Sequence, residues 1–247
     1  MKDKIEQAAN WIKQAQYVVA FTGAGISVES GIPPFRGAGG LWNQYNPIIL
    51  DIDYYQQHTE ESWKAIKRLF FDFFGKAKPN AAHYALASME KVGLLKSVIT
   101  QNIDNLHQEA GSENVIEFHG NCRQFICLKC GATYQSSQLH LSNKPPHCLH
   151  PDCRGLLKPD FVFFGEGIPA KAYQASIEAA TNADIFILIG TTGEIMPASQ
   201  IPLLAKENGA KIIEINIEES NFTSSITDLF IKEKAGIALE KLRKELP

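Results

Sequence analysis

The chain has no excess of basic residues: 24 Lys and Arg stand against 27 Asp and Glu in 247 residues, for a formal charge of -3. A protein held to a phosphate backbone by its overall charge needs a basic footprint, so the sequence implies no direct nucleic-acid binding and only locally recognised partners. Long apolar runs are also missing. Nothing approaches the roughly 20 consecutive apolar residues that span a bilayer. The N-terminal MKDKIEQAANWIKQA has helical periodicity without the apolar core of a signal peptide. The expectation is a soluble, cytoplasmic protein with no membrane partner. Internal repeats, low-complexity tracts and disordered linkers are absent as well. Cysteine is scarce, five in all, and in a reducing compartment that argues against a disulfide framework and for metal or catalytic use.

What is present is enough to bury a core. With 45% hydrophobic and 21% charged residues, a chain of this length holds one large domain and a small one. Residues 17 to 36, YVVAFTGAGISVESGIPPFR, anchor the larger part. Tyr17 to Thr22 reads as a buried parallel strand. It feeds Gly23 and Gly25, where a backbone without Cβ can turn sharply and expose amide hydrogens to a ligand's phosphates, with a helix N-terminus to follow. A full dinucleotide fingerprint would have a third glycine where Val28 stands and an acidic residue about 20 positions later. Both are missing, so this loop alone does not separate a pyrophosphate site from a tight turn.

The cysteines are more specific. Cys127 and Cys130 form C-x-x-C, 17 residues intervene, and Cys148 and Cys153 close the set. Two thiolate pairs brought together from two turns make a tetrahedral zinc ribbon, and four sulfurs leave no open position, so the metal is expected to be structural. The alternative is free thiols, with His147 or His150 as substitute ligands. Cys122 is left over and reads as a buried, inert thiol.

In chain order, a helix over 3–15 precedes the glycine strand. From Ser27 to Asn46 the sequence carries Gly31, Pro33, Pro34, Gly37, Gly39 and Gly40, too many breakers for regular structure. A loop this long is usually functional, and the reading is a lid over a cofactor. Arg36, beside Phe35 and Trp42, is either a solvated charge or, in such a loop, a phosphate contact; the latter is expected. Residues 59–74 predict a helix whose Phe70, Phe71, Phe73 and Phe74 either pack the core or line an apolar substrate channel. Gln101, Asn102 and Asp104 follow a β-rich run, where an α/β sheet places ligand groups. His119 and Gly120 end another strand, which makes the imidazole a candidate general base at the same cleft. In LLKPDFVFFGE an extended apolar edge ends at Gly165 and Glu166, suited to pairing with a peptide. ADIFILIGTTGE brings a second glycine turn, Gly190 with Thr191 and Thr192, and KIIEINIE ends near Asn216.

Strands alternating with helices at both ends define an α/β fold: a Rossmann-like doubly wound parallel sheet with a small zinc-ribbon domain inserted. The expected division is 1–121 with 158–247 for the sheet domain and 122–157 for the ribbon. The 27–75 loop and helices are expected to contribute to the lid and the small domain.

Taken together, GAGIS at 23–27, SGIP at 30–33, FRG at 35–37, TQNIDNLH at 100–107, HG at 119–120, the four cysteines, PDFVFFGE, GTT and IN resemble the sirtuin family almost end to end. That resemblance implies an NAD-dependent protein-lysine deacylase with NAD as co-substrate, one structural Zn²⁺ and an acylated-lysine protein or peptide as partner. By the same resemblance, Gly23, Ala24, Gly25, Phe35, Arg36, Gln101, Ile103, Asp104, Gly190, Thr191, Thr192, Asn216, Lys234 and Ala235 would contact the cofactor. Val162, Phe163 and Gly165 would bind substrate, with the Val162 carbonyl taking the acyl-lysine amide hydrogen. Asn102 and His119 would be catalytic, His119 deprotonating a ribose hydroxyl. The family commonly has an acidic or hydroxylated residue where Pro34 stands here, and proline stiffens the loop. The Tyr-x-x-Arg of relatives that remove acidic acyl groups is missing between 54 and 80, which argues against succinyl-lysine. Two other functions share these residues: mono-ADP-ribosyl transfer or NAD hydrolysis, and a non-catalytic NAD-sensing module. The sequence leaves the oligomeric state open and is compatible with a monomer.

Overall fold

The computed structural model describes residues 2–37, 39–73 and 76–247, with the backbone alone at Phe73. The chain runs through α1 (Lys2–Gln14), β1 (Val18–Thr22), α2 (Ile52–Gln57), α3 (Thr59–Ile66), α4 (Ala81–Lys91), β2 (Leu95–Thr100), α5 (Leu106–Glu109) and β3 (Val115–Glu117). It continues through β4 (Gly120–Cys127), β5 (Thr133–Gln135), β6 (Leu157–Phe161), α6 (Ala170–Asn182), β7 (Ile185–Ile189), α7 (Gln200–Glu207), β8 (Lys211–Asn216), β9 (Leu229–Lys232) and α8 (Ala235–Lys244).

Six strands form one sheet in the order β3-β2-β1-β7-β8-β9, and every neighbouring pair is parallel. β1 and β7 are buried at all five positions because both faces of the sheet are covered. Side chains alternate between the faces with period two. Val18, Ala20, Ile187 and Ile213 pack under α1, α4 and α8. Val19, Phe21, Phe186 and Ile212 pack under α6 and α7. The strand order reverses between β1 and β7, and a doubly wound sheet opens its ligand crevice at such a point, beyond the carboxyl ends of the strands.

The second sheet is antiparallel, in the order β5-β4-β6. Pro159 lies inside β6, which an edge position permits because no ladder bond is lost there. The apolar strand expected after this proline begins two residues before it and ends at Phe161, leaving Val162–Phe164 as an extended segment outside the ladder. β4 starts at Gly120 and β6 ends at Phe161, so the small sheet reaches past 122–157 on both sides. Its core is shared with the 32–70 segment: Ile32, Tyr55, Trp63 and Phe70 cluster with Phe125, Leu157 and Phe163.

Two local expectations change. The 27–46 stretch is not all irregular: Ala24–Ser30 forms a 3₁₀ helix closed by Gly31 at φ 88, with Ile26 and Ser27 buried beneath it. Glycine suits that left-handed closing position, and the two buried side chains anchor a turn that composition alone would not reveal. The helix expected over 59–74 narrows to α3 and then widens into π-helical turns over Lys67–Phe73. Phe70 packs against Phe161 with ring centroids 5.2 Å apart and Phe71 stacks on Phe125 at 5.4 Å, so both pack in the small lobe, and both also line a cavity beside Ile103 and Asp104. Phe74 and the side chain of Phe73, named above for an apolar channel, lie outside the described residues.

Candidate functional site

The crevice is built by two glycine loops that touch. Gly23 N–H donates to the Ile189 carbonyl at 3.0 Å and Gly25 N–H to the Gly190 carbonyl at 2.9 Å. A Cβ on Gly25 would lie 2.5 Å from Gly190 Cα, and one on Gly23 would lie 2.7 Å from the Gly190 oxygen. Gly190 itself has φ 60. The glycines are therefore needed for backbone-to-backbone approach of the β1 and β7 loops. Their amide hydrogens, read from sequence as free for phosphate, are committed to that contact. Ala24 and Ile103 are half-buried.

Around this junction the polar residues converge. Gln101 Nε2 donates to Thr191 Oγ1 at 3.1 Å, and Asn216 Nδ2 donates to the Thr191 carbonyl at 3.0 Å, which gathers the ends of β2, β7 and β8. Thr192 next to them is exposed. Asn102 is buried; its Nδ2 donates to the Gly23 carbonyl at 3.1 Å and to Ser27 Oγ at 3.3 Å. Ser27 Oγ in turn donates to Asp104 Oδ2 at 2.7 Å, and Asp104 Oδ1 takes the Leu106 N–H at 3.0 Å. Burial raises the Asp104 carboxyl above its ordinary range, against the pull of the Ser27 bond.

His119 sits at the turn between β3 and β4, edge-on to Phe118. Its Nδ1 lies 3.1 Å from the Gln101 carbonyl oxygen. A carbonyl can only accept, so Nδ1 carries the proton and Nε2 keeps its lone pair. Burial lowers the pKa of the ring, with the Gln101 bond opposing. The neutral imidazole is thereby the favoured form, as a general base requires.

The peptide-edge candidates lie alongside. Val162 N–H donates to the His119 carbonyl at 2.8 Å, and among the described residues no group donates to the Val162 carbonyl. Phe163 is buried and its N–H donates to Glu166 Oε2 at 2.8 Å. Phe164 N–H donates to the Leu50 carbonyl at 2.8 Å, and Gly165 turns the chain at φ 88. Glu166 is held by Lys158, 3% exposed, whose Nζ is 3.0 Å from Glu166 Oε2 and also reaches the Pro159 and Phe161 carbonyls at 2.9 and 2.6 Å.

Arg36 is exposed, and its Nε lies 3.6 Å from Glu194 Oε2 on the β7 loop, while Phe35 packs on Trp42 at 5.2 Å. Lys234 and Ala235 begin α8, the first exposed and the second buried. The structure sets them against the far end of the Ala24–Ser30 helix, where the Glu29 carboxylate takes the Gly236 N–H at 2.7 Å. Ser27, Lys158, Glu194 and Glu29 were given no role from sequence, and Glu166 only marked the end of the apolar edge. Only Lys158, which opens the charged pair Lys158 and Asp160 inside the apolar run LLKPDFVFF, carried a signal.

Away from the crevice, the Sγ atoms of Cys127, Cys130, Cys148 and Cys153 all lie within 4.8 Å of one another. The Cys127–Cys153 and Cys130–Cys148 pairs are 3.6 and 3.7 Å apart. Tetrahedral Zn–S bonds of about 2.3 Å put sulfurs about 3.8 Å apart, so the donor set fits zinc. Gly155 supplies the cradle: a Cβ there would come within 2.7 Å of Cys127 Sγ. Tyr134 Oη lies 3.1 Å from Cys148 Sγ, placed to donate to a thiolate. Cys122 is a separate thiol whose pKa burial pushes up, in keeping with an inert role.

A parallel doubly wound sheet with a polar crevice at its switch point, a histidine at the rim and a small lobe carrying four clustered cysteines defines a Rossmann-like α/β protein with a donor set that could hold a metal ion. The model described as the Sir2 family matches residues 23–197, and the chain belongs to that family. It is 43% identical to an NAD-dependent protein deacetylase of Saccharolobus solfataricus, covering 96% of this chain and 95% of the relative. To an NAD-dependent protein deacylase of Thermococcus sibiricus it is 42% identical, over 96% and 94%. A solved Sir2 structure with deacetylated p53 peptide and 3′-O-acetyl ADP ribose superposes with a TM-score of 0.90 at 36% identity, covering 98% of each chain.

Proposed function

We propose that this protein is an NAD-dependent protein-lysine deacylase that moves the acyl group from lysine to ADP-ribose and releases nicotinamide. The observation that carries the reading is the shared bonding of His119. Its ring is fixed by Gln101 beside the crevice while its carbonyl holds the Val162 N–H of the peptide edge. One residue thus joins the nucleotide side to the substrate side. The names of the two relatives and the acetyl-ADP-ribose complex of the Sir2 structure support the same chemistry.

When bound, NAD supplies an electrophilic ribose carbon and nicotinamide as leaving group. Gln101, Ile103, Asp104, Thr191 and Asn216 would hold it across the crevice, with Arg36 from the loop and Asn102 at the ribose. The Val162 carbonyl accepts the acyl-lysine amide hydrogen and sets the acyl oxygen in line, which is where positioning contributes to rate. His119 Nε2, whose lone pair the Gln101 bond leaves free, would take the proton from a ribose hydroxyl of the bound cofactor. On this reading the loop within 27–46 would exclude water from the reacting centre. Zinc in the four-cysteine centre is structural. The same reading places the protein in the cytoplasm, acting on acylated proteins without nucleic acid or membrane.

The test is mass-spectrometric product analysis with NAD and acetyl-, succinyl- and long-chain acyl-lysine peptides. One acyl-ADP-ribose per nicotinamide and per free lysine, with succinyl-lysine poorest, is expected. Nicotinamide without deacylated peptide would mean ADP-ribosyl transfer or hydrolysis, and no NAD consumption would mean a binding module.

A further inference from the structure

β8 carries an acid at a position where its neighbours along the strand are apolar. Glu214 is 1% exposed and lies between Ile213 and Ile215, both fully buried. An apolar side chain would fill that place without the cost of taking a carboxyl group out of water. The carboxyl oxygens are taken instead by three hydroxyls of one loop, the 217–228 connection between β8 and β9. Ser220 Oγ donates to Glu214 Oε1 at 2.5 Å and Thr227 Oγ1 to Oε2 at 2.7 Å, while Thr223 Oγ1 lies 3.0 and 2.9 Å from the two oxygens.

The loop itself settles the direction of these bonds. Ser220 Oγ receives the Phe222 N–H at 3.1 Å, and Thr223 Oγ1 receives the Ser220 N–H at 2.8 Å. A hydroxyl has a single proton, so in both residues that proton is left for Glu214. Little else holds the loop: of residues 217–228 only Phe222 is buried. A segment with so few buried apolar contacts opens readily unless polar bonds tie it down.

The far side of the loop meets the crevice. Asn221 N–H donates to the Thr192 carbonyl at 3.0 Å, and Asn221 Nδ2 donates to the Gly193 carbonyl at 3.4 Å. Phe222 closes on the same turn, since a Cβ on Gly193 would come within 2.7 Å of its ring. Thr191, which opens the turn, is the residue that Gln101 and Asn216 both bond. An unbroken set of contacts therefore runs from Glu214 through Ser220 and Thr223 to Asn221 and Phe222, and from there to the Thr191–Gly193 turn.

We propose that Glu214 clamps the 217–228 loop against the Thr192–Gly193 turn and is thereby a positioning residue for the nucleotide half of the crevice. The identity of the ligand rests on the NAD reading of the site; the clamp is read from the bonds.

The test is calorimetric binding of ADP-ribose to the full chain, well below the melting transition of each variant, so that a loss of stability alone leaves Kd unchanged. Gln has nearly the shape of Glu, keeps one oxygen for the hydroxyls and offers Thr227 an amide donor, whereas Met has similar length and no strong acceptor. Glu214→Met is expected to raise Kd at least about tenfold and Glu214→Gln no more than about threefold. An unchanged Kd in Glu214→Met, or equal losses in both variants, would overturn the clamp. Where Glu214→Met fails to fold, wild type decides: ADP-ribose is expected to slow amide hydrogen exchange at Asn221 at least about tenfold, and unchanged exchange there overturns the proposal. If wild type binds no ADP-ribose, the NAD reading falls and the nucleotide role of Glu214 with it; binding that the variants leave unaltered removes the clamp alone.

Discussion

His119 is held neutral by burial, and this sets the acid limb of the reaction. Because desolvation disfavours the imidazolium, its folded pKa lies below the ordinary value of about 6.5. The active form is the unprotonated one, so kcat/KM is expected to fall off only below pH 6.5. A limb above that value would assign the titration elsewhere. His119→Ala should slow lysine release at least about 100-fold while NAD binding stays within threefold, read by product assay and calorimetry. The second residue-scale prediction concerns Glu194. Its pairing with Arg36 competes with any phosphate that Arg36 meets, and an exposed pair is worth about 0–1 kcal/mol. Glu194→Gln is therefore expected to lower KM for NAD by no more than about fivefold, with the gain fading as salt is added. An unchanged KM at low salt would remove Arg36 from the phosphate side.

At the level of elements, the peptide edge keeps its shape through the ammonium of Lys158. The segment leaves β6 and turns at Gly165 so that Glu166 returns to both the Phe163 N–H and the Lys158 ammonium, which also lies 4.4 Å from the Phe163 ring centroid. Removing the ammonium strands a Glu166 carboxylate that is 26% exposed and can partly rehydrate, at a cost of about 1–3 kcal/mol. Lys158→Met should lower stability by about that amount in denaturant unfolding and raise KM for peptide more than KM for NAD. Adding Glu166→Gln should recover much of the stability. If the single change left both quantities intact, the ion pair would not be what shapes the edge. This turn was only partly legible in the sequence. PDFVFFGE announces an extended apolar edge, but that Lys158 folds back beneath it depends on contacts between β6 and its own continuation. The Ala24–Ser30 helix was hidden for a similar reason, since Ser27 and Ile26 are fixed by Asp104 and the core and local propensity does not show it.

For the whole molecule, two lobes have different sources of stability. The parallel sheet is covered on both faces, whereas the small lobe rests on a three-stranded sheet, an aromatic cluster and four thiols. One Zn²⁺ per chain is expected by elemental analysis. Chelation should melt the small lobe first, since structural zinc contributes on the order of 10 kcal/mol to such sites. Loss of tryptophan-region near-UV signal ahead of the far-UV transition would show it, and a single unchanged transition would argue against a structural metal. Two enclosed histidines add a pH dependence. Burial lowers His83 to about 4 and His107 well below its ordinary value. Below pH 6.5 the unfolded chain takes up protons that the folded chain refuses, so stability is complete above 6.5 and drains as pH falls, by roughly 3 kcal/mol from His83 alone by pH 4. Asp104, Glu117 and Asp160, whose carboxyls burial raises, work in the opposite direction. The comparison of wild type with His83→Asn isolates the histidine, and an equal acid loss in both would refute its share.

The sequence by itself determined the alternation of strands and helices, the four-cysteine centre and the residues that gather at the strand ends, because periodicity, spacing and a glycine after an apolar run are local physical constraints. Only the tertiary structure decided why those residues work together. Gly23 and Gly25 serve contact with Gly190, and the amides read as open to phosphate are spent on it. Phe70 and Phe71 pack in the small lobe and also line the cavity beside Ile103 and Asp104. Gln101 fixes the tautomer of His119, and His83 and His107 meet beneath the floor of the crevice. Each of these joins residues far apart in the chain, and a pairing of that kind leaves no periodicity or spacing for a single sequence to display.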